Sequence, residues 1–556
     1  MSEERVRQAM DHVEALEDGR KSWDGHLQDI ADFVLPKKGR WAGRDSSPND
    51  GSKRHRKVYD GTATRALRIL AAGMMGGMTS PSRPWFRLGT PDPNFQEIGD
   101  VRGWLEQVER RLYWALSRSN FYQMAAGAYA EIGGFGSFCA LVQESTETVV
   151  HFHPHTFGEY AWSINDYGRV DTVARRIWLP VKAVARQWGE EKLSGGAKKA
   201  LEKTPFEYVQ VAQLVRPREF GGGAKEGGIG KKDLPWESLV FEVDSKEGFL
   251  DDGGYEEFPF LCPRWSVTGY DTYGWSPSMD CLGDIKMLQE LRKELLAGVQ
   301  LHVGPPMRVP TNFRGRLNLK PRGQNFVSRN NQDGLAPLYQ VNPDIRGVLE
   351  TIEDTRKAIR EGLFNDMFLL MVDRPDMTAT EVMERTNEKM IMLGPVIDRL
   401  QHEMLDPLIE RVYLIMDRTG LIPPAPREMD GMPLKVEYVS MLAQAQKQVG
   451  SQSITNLVAV AGQVAQLKPE ALDKVDLDQA IDEFAIVTGA PAKLLVSDED
   501  VGKIREQRQE EMAKQQAMQQ ALAAVPAAKD LSETSTEGKN ALTDMMDDMQ
   551  QEAPPQ

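Results

Sequence analysis

Cysteine is scarce in this chain: Cys139, Cys262 and Cys281 are the three in 556 residues. Their uneven spacing encodes neither a disulfide framework nor a CxxC zinc pair, which suits a reducing compartment. Long apolar runs are missing as well. Nothing approaches the ~18 consecutive apolar residues of a membrane helix, and the mean hydropathy is -0.45. The opening MSEERVRQAM is polar and charged, so it offers no secretory core segment. Positive charge is not in excess either. The 82 acidic against 67 basic residues leave -15, which argues against gripping a polyanion through bulk charge. Membrane, secreted and histone-like classes are thereby excluded. What remains, 41% hydrophobic and 27% charged, reads as globular protein with length for roughly three to four domains.

Catalytic signatures are equally few. No Gly-x-x-x-x-Gly-Lys-Ser/Thr and no Gly-x-Ser-x-Gly occurs. In Gly221 to Lys232 (GGGAKEGGIGKK), Gly230-Lys231 is followed by Lys232 and Asp233, so no hydroxyl awaits a magnesium ion, and the segment reads as a surface loop. Gly133 to Gly136 (GGFG) lacks the lysine and reads as tight packing. His402-Glu403-Met404-Leu405-Asp406 misses the zincin helix by its last residue and reads as a surface-facing pair. His151, His153 and His155 alternate on a predicted strand and could converge on a metal. Pro154 interrupts them and no Cys or carboxylate completes a set, which favours structural histidines. No catalytic residue, metal ligand or cofactor is assigned, and the chain does not read as an enzyme.

Periodicity gives the elements. Val6, Val13, Leu16, Trp23, Leu27, Ile30 and Val34 form one stripe on a helix ended by Pro36. A second helix runs from Thr62 to about Met75, with Ala71, Ala72, Gly73, Gly76 and Gly77 permitting close approach. Arg83 to Leu88 is a short strand, and helices follow at Val101 to Ser117 and Asn120 to Ile132. Strands are predicted at Ser137 to Gln143, Thr148 to His153, Glu159 to Ile164 and Val170 to Leu179, with Asn165-Asp166-Tyr167-Gly168 as a hairpin turn. Helix returns at Pro180 to Glu190, and Tyr208 to Arg216 and Trp236 to Val243 are strands. Residues 1–275 are therefore α+β in a helix-rich chain.

The middle differs. Met279, Leu282, Ile285, Leu288, Leu291, Leu295 and Val299 make Pro277 to His302 a long amphipathic helix, ended by Gly304-Pro305-Pro306. A Pro-, Gly- and Asn-rich excursion follows, with β-like pieces at Met307 to Val309 and Asn325 to Ser328. The chain returns as helix from Asp344 to Leu370, through Val348, Ile352, Ile359, Leu363 and Met367. Asp373 to Met377 breaks it. Thr378-Ala379-Thr380-Glu381 is a capping box opening the next helix, which Gly394-Pro395 should kink and Gly420 end. A strand at Leu434 to Val439 precedes helices through Ala524, and the segment from Pro526 reads as disordered. Between Leu295 and Gln332 there is no acidic residue, while Arg308, Arg314, Arg316, Lys320, Arg322 and Arg329 are basic. This is either a solvated loop or a tip that docks an acidic partner or touches phosphate. Two such helices cannot bury both faces alone, which points to neighbouring subunits.

Several stretches resemble the head-to-tail connector, or portal, proteins of short-tailed double-stranded DNA bacteriophages. They include Trp23 with Phe33-Val34-Leu35-Pro36, TSPSRPWFRL at Thr79 to Leu88, the Asp166 to Val173 hairpin, and Tyr273-Gly274-Trp275-Ser276-Pro277 before the Leu288 to Lys293 helix. Most telling is Met377-Thr378-Ala379-Thr380-Glu381-Val382 with Glu388-Lys389 and Leu393-Gly394-Pro395. The likeness continues through VEYVSMLAQA at Val436 to Ala445 and spans roughly residues 5–510 in consistent order.

The resemblance implies a ring of usually twelve copies at one capsid vertex, around a channel for genome packaging and ejection. It implies a wing at 1–275, stem helices at 276–302 and 344–370, a small α/β clip at 303–343 and a tunnel loop at 371–378. The wing would resume at 379–440 with the kinked helix and returning strand, followed by a helical crown at 441–525 and a disordered tail at 526–556. Asp373, Arg374, Asp376 and Met377 would face DNA. The clip residues Arg308, Arg314, Arg316, Lys320, Arg322 and Arg329 would dock the terminase large subunit and then a tail adaptor or tail tube protein. Major capsid and scaffolding proteins would be further partners, with no membrane involved and assembly in the host cytoplasm. Twelve copies at -15 each carry about -180, and an acidic channel wall would repel phosphates and let DNA slide. A non-enzymatic helical scaffold or adaptor of a virion or other assembly is the rival, and it predicts extended oligomers without a closed channel.

Overall fold

Helix α1 (Ser2–Phe33) carries one apolar stripe that serves two cores. Val6, Ala9, Val13 and Leu16 are buried against a β-sheet, whereas Leu27 and Ile30, with Val34 just beyond, are buried among helices. The spacings of three, four and seven produce both contacts. The computed structural model describes residues 2–37, 56–92, 99–218, 230, 233–245, 247–303, 306–308, 336–337, 345–369, 392–429, 433–439, 457–464, 475–481 and 501–515. The chain divides into two units, Met1–Gln463 and Val464–Gln556.

After α1 come α2 (Thr62–Met78), β1 (Phe86–Gly89), α3 (Gly99–Arg118) and α4 (Phe121–Phe135). Gly136 closes α4 at φ +76°, where only glycine is unstrained. A Cβ there would also lie 2.1 Å from the Gly274 carbonyl oxygen. The GGFG stretch thus serves tight packing.

Strands β2 (Cys139–Ser145), β3 (Val149–His155), β4 (Tyr160–Ile164) and β5 (Val170–Pro180) follow. Next are α5 (Val181–Trp188), α6 (Gly195–Lys203), β6 (Tyr208–Pro217), β7 (Trp236–Glu242), β8 (Asp251–Tyr255) and β9 (Phe260–Leu261). Every strand predicted between residues 137 and 243 forms, within two residues at each end. Strands β4 to β8 make an antiparallel meander in chain order, and β3-β2-β9 is a second sheet. The β4–β5 turn is fixed by Asn165, whose Oδ1 accepts the amides of Tyr167 and Arg169, each at 3.0 Å. Alternation sorts the meander's faces. Ala212, Leu214, Leu239 and Phe241 meet α1, while Val211 and Val240 meet α5 and α6. The β8 segment, Asp-Asp-Gly-Gly-Tyr, has poor strand propensity, and pairing with β7 makes it a strand.

The chain continues through α7 (Pro277–Asp280), α8 (Leu282–Val303), β10 (Met307–Arg308), β11 (Ala336–Pro337), α9 (Ile345–Gly362) and α10 (Asn365–Leu369). Helix α11 (392–400), a π-turn (Gln401–Leu405), α12 (Asp406–Arg418) and β12 (Lys435–Tyr438) complete the first unit's framework. Two helices expected to be continuous are interrupted. The first breaks at Cys281, after a turn capped by the Ser276 hydroxyl, which accepts from Met279 N–H. The second breaks at Phe364, whose φ of +56° is left-handed. The irregularity after Pro395 is the π-turn. Gly420, at φ +69°, ends α12 as expected. Strand β12 pairs antiparallel with β1, Phe86 opposite Tyr438 and Gly89 opposite Lys435. In the second unit, Arg505 on helix 501–515 reaches Asp478 on helix 475–481 at 2.8 Å. The segment expected to be disordered, 526–556, lies outside the described residues.

Candidate functional site

Helices α8 and α9 lie side by side, joined through a polar lock at Asp60. Asp60 is buried, just before α2. Its Oδ1 accepts the amide and hydroxyl of Thr62 at 3.0 and 2.6 Å. Its Oδ2 accepts from Arg356 on α9 at 2.6 and 3.1 Å and faces Arg292 on α8 at 3.3 Å. Burial by itself would push the carboxyl up, but the Thr62 and Arg356 hydrogen bonds outweigh it and hold the group below the usual carboxylate range. Gln289 on α8 completes the joint. Its Oε1 accepts from Tyr59 N–H and Asp60 N–H at 2.7 and 2.9 Å, and its Nε2 donates to the Asp60 carbonyl at 3.0 Å.

Only the proximal half of this pair has a core to pack on. Leu282, Ile285 and Leu288 of α8 and Ile352 and Ile359 of α9 are buried. Leu296, Val299 and Val303 continue the same spacing along α8, yet they are 52%, 36% and 78% exposed, and Leu349 of α9 is 43% exposed. An apolar stripe therefore runs beyond the surface that covers its beginning. Beyond it, β10 and β11 pair antiparallel, Arg308 opposite Ala336, and close the base of the basic excursion. Arg308 is thus placed on β10. Arg314, Arg316, Lys320, Arg322 and Arg329 lie outside the described residues.

At the other end, α10 seats on α2. A Cβ at Gly73 would lie 2.2 Å from the Phe368 ring, so this glycine permits the close approach expected of the small residues of α2, whereas a Cβ at Gly76 would meet nothing within 4 Å. The residues expected in the loop beyond, Asp373, Arg374, Asp376 and Met377, lie outside the described residues, as does the capping box. Where the chain resumes, the π-turn aims Glu403 inward. Arg264, nearly fully buried, donates to Glu403 from Nη2 at 2.7 Å, Nε at 3.2 Å and its amide at 2.9 Å. The same guanidinium donates to the carbonyls of Gly168 and Asp271 at 2.7 and 3.2 Å. His402 stays at the surface, its Nδ1 2.8 Å from Asp406. The expectation of a surface-facing pair thus holds for His402 and Asp406, while one residue more per turn rotates the neighbouring Glu403 carboxylate toward Arg264.

The three alternating histidines are structural in their contacts. Arg175 Nη1 donates to buried His155 Nε2 at 2.8 Å, and the rings of His151 and His153 meet edge to face at 4.7 Å. Burial, then the charge of Arg175 and then His151, lowers His153 to about 4. His155 is lowered well below its ordinary value by the same burial and Arg175. A guanidinium at this place repels a metal cation. Among the described residues no group of three or more His, Cys, Asp or Glu could hold a metal ion, and no helix is long and apolar enough to cross a membrane. Sequence reading missed Asp60, Gln289 and Arg264, and named Glu403 without its partner. The available signal was polar: Gln289 interrupts an apolar stripe, and Asp60-Gly61-Thr62 precedes a helix.

Residues 6–495 match the family described as Bacteriophage head to tail connecting protein. A probable portal protein of Bordetella phage BPP-1 is 38% identical over 533 residues, 95% of each chain. A portal protein of Salmonella phage epsilon15 is 38% identical over 550 residues, 98% of each chain. A chain from the virion of a native gene transfer agent particle aligns at 12% identity and a TM-score of 0.32, over 78% of this chain and 94% of that one.

Proposed function

The chain belongs to the bacteriophage head-to-tail connecting protein family and serves as a phage portal, and we propose that its parts divide the work as wing, stem, clip, tunnel loop and crown. Its place is the virion, at the capsid vertex, and its role is structural. The wing is 1–275 with 379–440. The stem helices are 276–302 and 344–370, the clip 303–343, the tunnel loop 371–378 and the crown 441–525.

One observation supports this reading above others: the locked α8–α9 pair whose apolar stripe outruns its own core. A second copy of the chain is its natural cover. Repeated around an axis, that contact closes a ring, twelve copies in this reading, and leaves a channel for duplex DNA. Asp373, Arg374, Asp376 and Met377 face the DNA and read no sequence. The basic clip, from Arg308 to Arg329, docks the terminase large subunit and later a tail adaptor or tail tube protein. Major capsid and scaffolding proteins surround the ring. A contact made through arginines should weaken with salt. The test is an Arg314→Glu, Arg316→Glu double variant, which should form rings yet lose terminase or adaptor docking in pull-down. Docking that is unchanged removes the clip assignment.

A further inference from the structure

Strand register carries one more conclusion. Ser137 bridges Arg264, Ala140 pairs with Leu261, and Leu141 pairs with Phe260. Phe138 N–H donates to the Pro263 carbonyl at 3.1 Å, and Val142 N–H donates to the Pro259 carbonyl at 2.8 Å. The ladder therefore runs without a slip along β2, and it sets Cys139 opposite Cys262. Because the hydrogen bonds fall at Phe138 and Val142, the Cys139 position is a non-hydrogen-bonded pair. Such pairs hold their Cα atoms about 4.5 Å apart with both side chains on one face. A disulfide spans Cα separations of ~4.4–6.8 Å. Both cysteines are free and buried.

We infer that Cys139 and Cys262 form a reversible cross-strand disulfide when the protein meets a small-molecule disulfide oxidant such as oxidised glutathione. The Cys262 thiolate attacks one glutathione sulfur, forms a mixed disulfide and expels a glutathione thiolate. Cys139, as thiolate, then attacks the Cys262 sulfur and expels the second. Two electrons and two protons pass to oxidised glutathione, which leaves as two reduced molecules. Burial pushes the Cys262 thiol well above its ordinary range, so the closed fold exchanges slowly. Phe260 and Leu261 of β9 are themselves buried in the main core, so the oxidant reaches the pair only when this edge strand opens, which mild urea promotes. The staple would leave reduced subunits free to assemble and would tie β9 to β2 in an oxidising medium.

The test uses the full-length reduced chain in glutathione buffers of increasing oxidised fraction, with and without mild urea. Alkylation in denaturant and peptide mass mapping then count the thiols. Three free thiols should fall to one, with a linked Cys139–Cys262 peptide, Cys281 still alkylated, and a higher Tm that dithiothreitol reverses. Cys139→Ser should stop at a glutathione adduct on Cys262. Three alkylated thiols under the most oxidising buffer, even in mild urea, would overturn the inference. So would a link that includes Cys281, or stable adducts at Cys139 and Cys262 in the wild-type chain.

Discussion

Arg264 and Glu403 form a nearly buried ion pair, Nη2 to Oε1 at 2.7 Å, that ties the β4–β5 hairpin to the π-turn before α12. Glu403→Gln leaves the guanidinium buried without its counter-charge, and breaking such a pair costs about 3 kcal/mol or more. A lower urea midpoint by tryptophan fluorescence is expected. Wild-type stability would show that Arg264 is satisfied by the two carbonyls alone.

Asp60→Asn keeps an acceptor for Thr62 but loses the charge that faces Arg292 and Arg356. Both arginines are partly solvated, so the expected loss is modest, ~1–2 kcal/mol. Hydrogen exchange should quicken in α9 well before it quickens in the five-stranded sheet. Uniform exchange across both would contradict the lock.

Gly136→Ala should be severely destabilising, at least ~3 kcal/mol. It combines a left-handed φ with a Cβ placed 2.1 Å from a backbone oxygen. Gly168→Ala, also left-handed but with open space around it, should cost less, since nothing lies within 4 Å. Equal thermal shifts for the two would remove the packing argument.

Two groups give opposite pH dependence. His153, lowered from 6.5 to about 4 chiefly by burial, binds fewer protons folded than unfolded in that window. Its share of stability is full above pH 6.5 and lost as pH falls toward 4, roughly 1–2 kcal/mol at pH 5. His153→Gln should flatten that acid loss. Glu109, raised from 4.5 to about 7 by burial against the opposing Arg87 charge and Leu88 amide, binds more protons folded. Stability therefore falls as pH rises from 4.5 to 7, and Glu109→Gln should stabilise the chain at pH 8 and not at pH 4. Parallel pH–Tm curves for either variant and the wild type would contradict its assignment.

Much of the framework was legible because amphipathic spacing and burial coincide here. Val6, Val13, Leu27 and Ile30 announce α1, and alternation around Asn165 announces the β4–β5 hairpin. Interruptions were not legible. The break at Phe364 comes from a left-handed residue that propensity does not mark, and the π-turn at Gln401–Leu405 follows from a partner, Arg264, about 140 residues earlier. The same limit hid the polar lock. Asp60, Gln289 and Arg356 are ordinary in sequence and meet only once α2, α8 and α9 have packed. The stripe through Leu291, Leu295 and Val299 was plain as periodicity, while the exposure of Leu296, Val299 and Val303 needed the fold.

The central claim is that this stripe is covered by further copies of the chain around a channel. Negative-stain imaging of the concentrated full-length protein, with symmetry counted in end-on views, tests it most directly. The account predicts closed rings near twelvefold with a hole wide enough for duplex DNA, lost in a Leu296→Glu, Val299→Glu variant that remains folded by circular dichroism. Single compact particles at every concentration, with and without the cognate scaffolding protein, would contradict it.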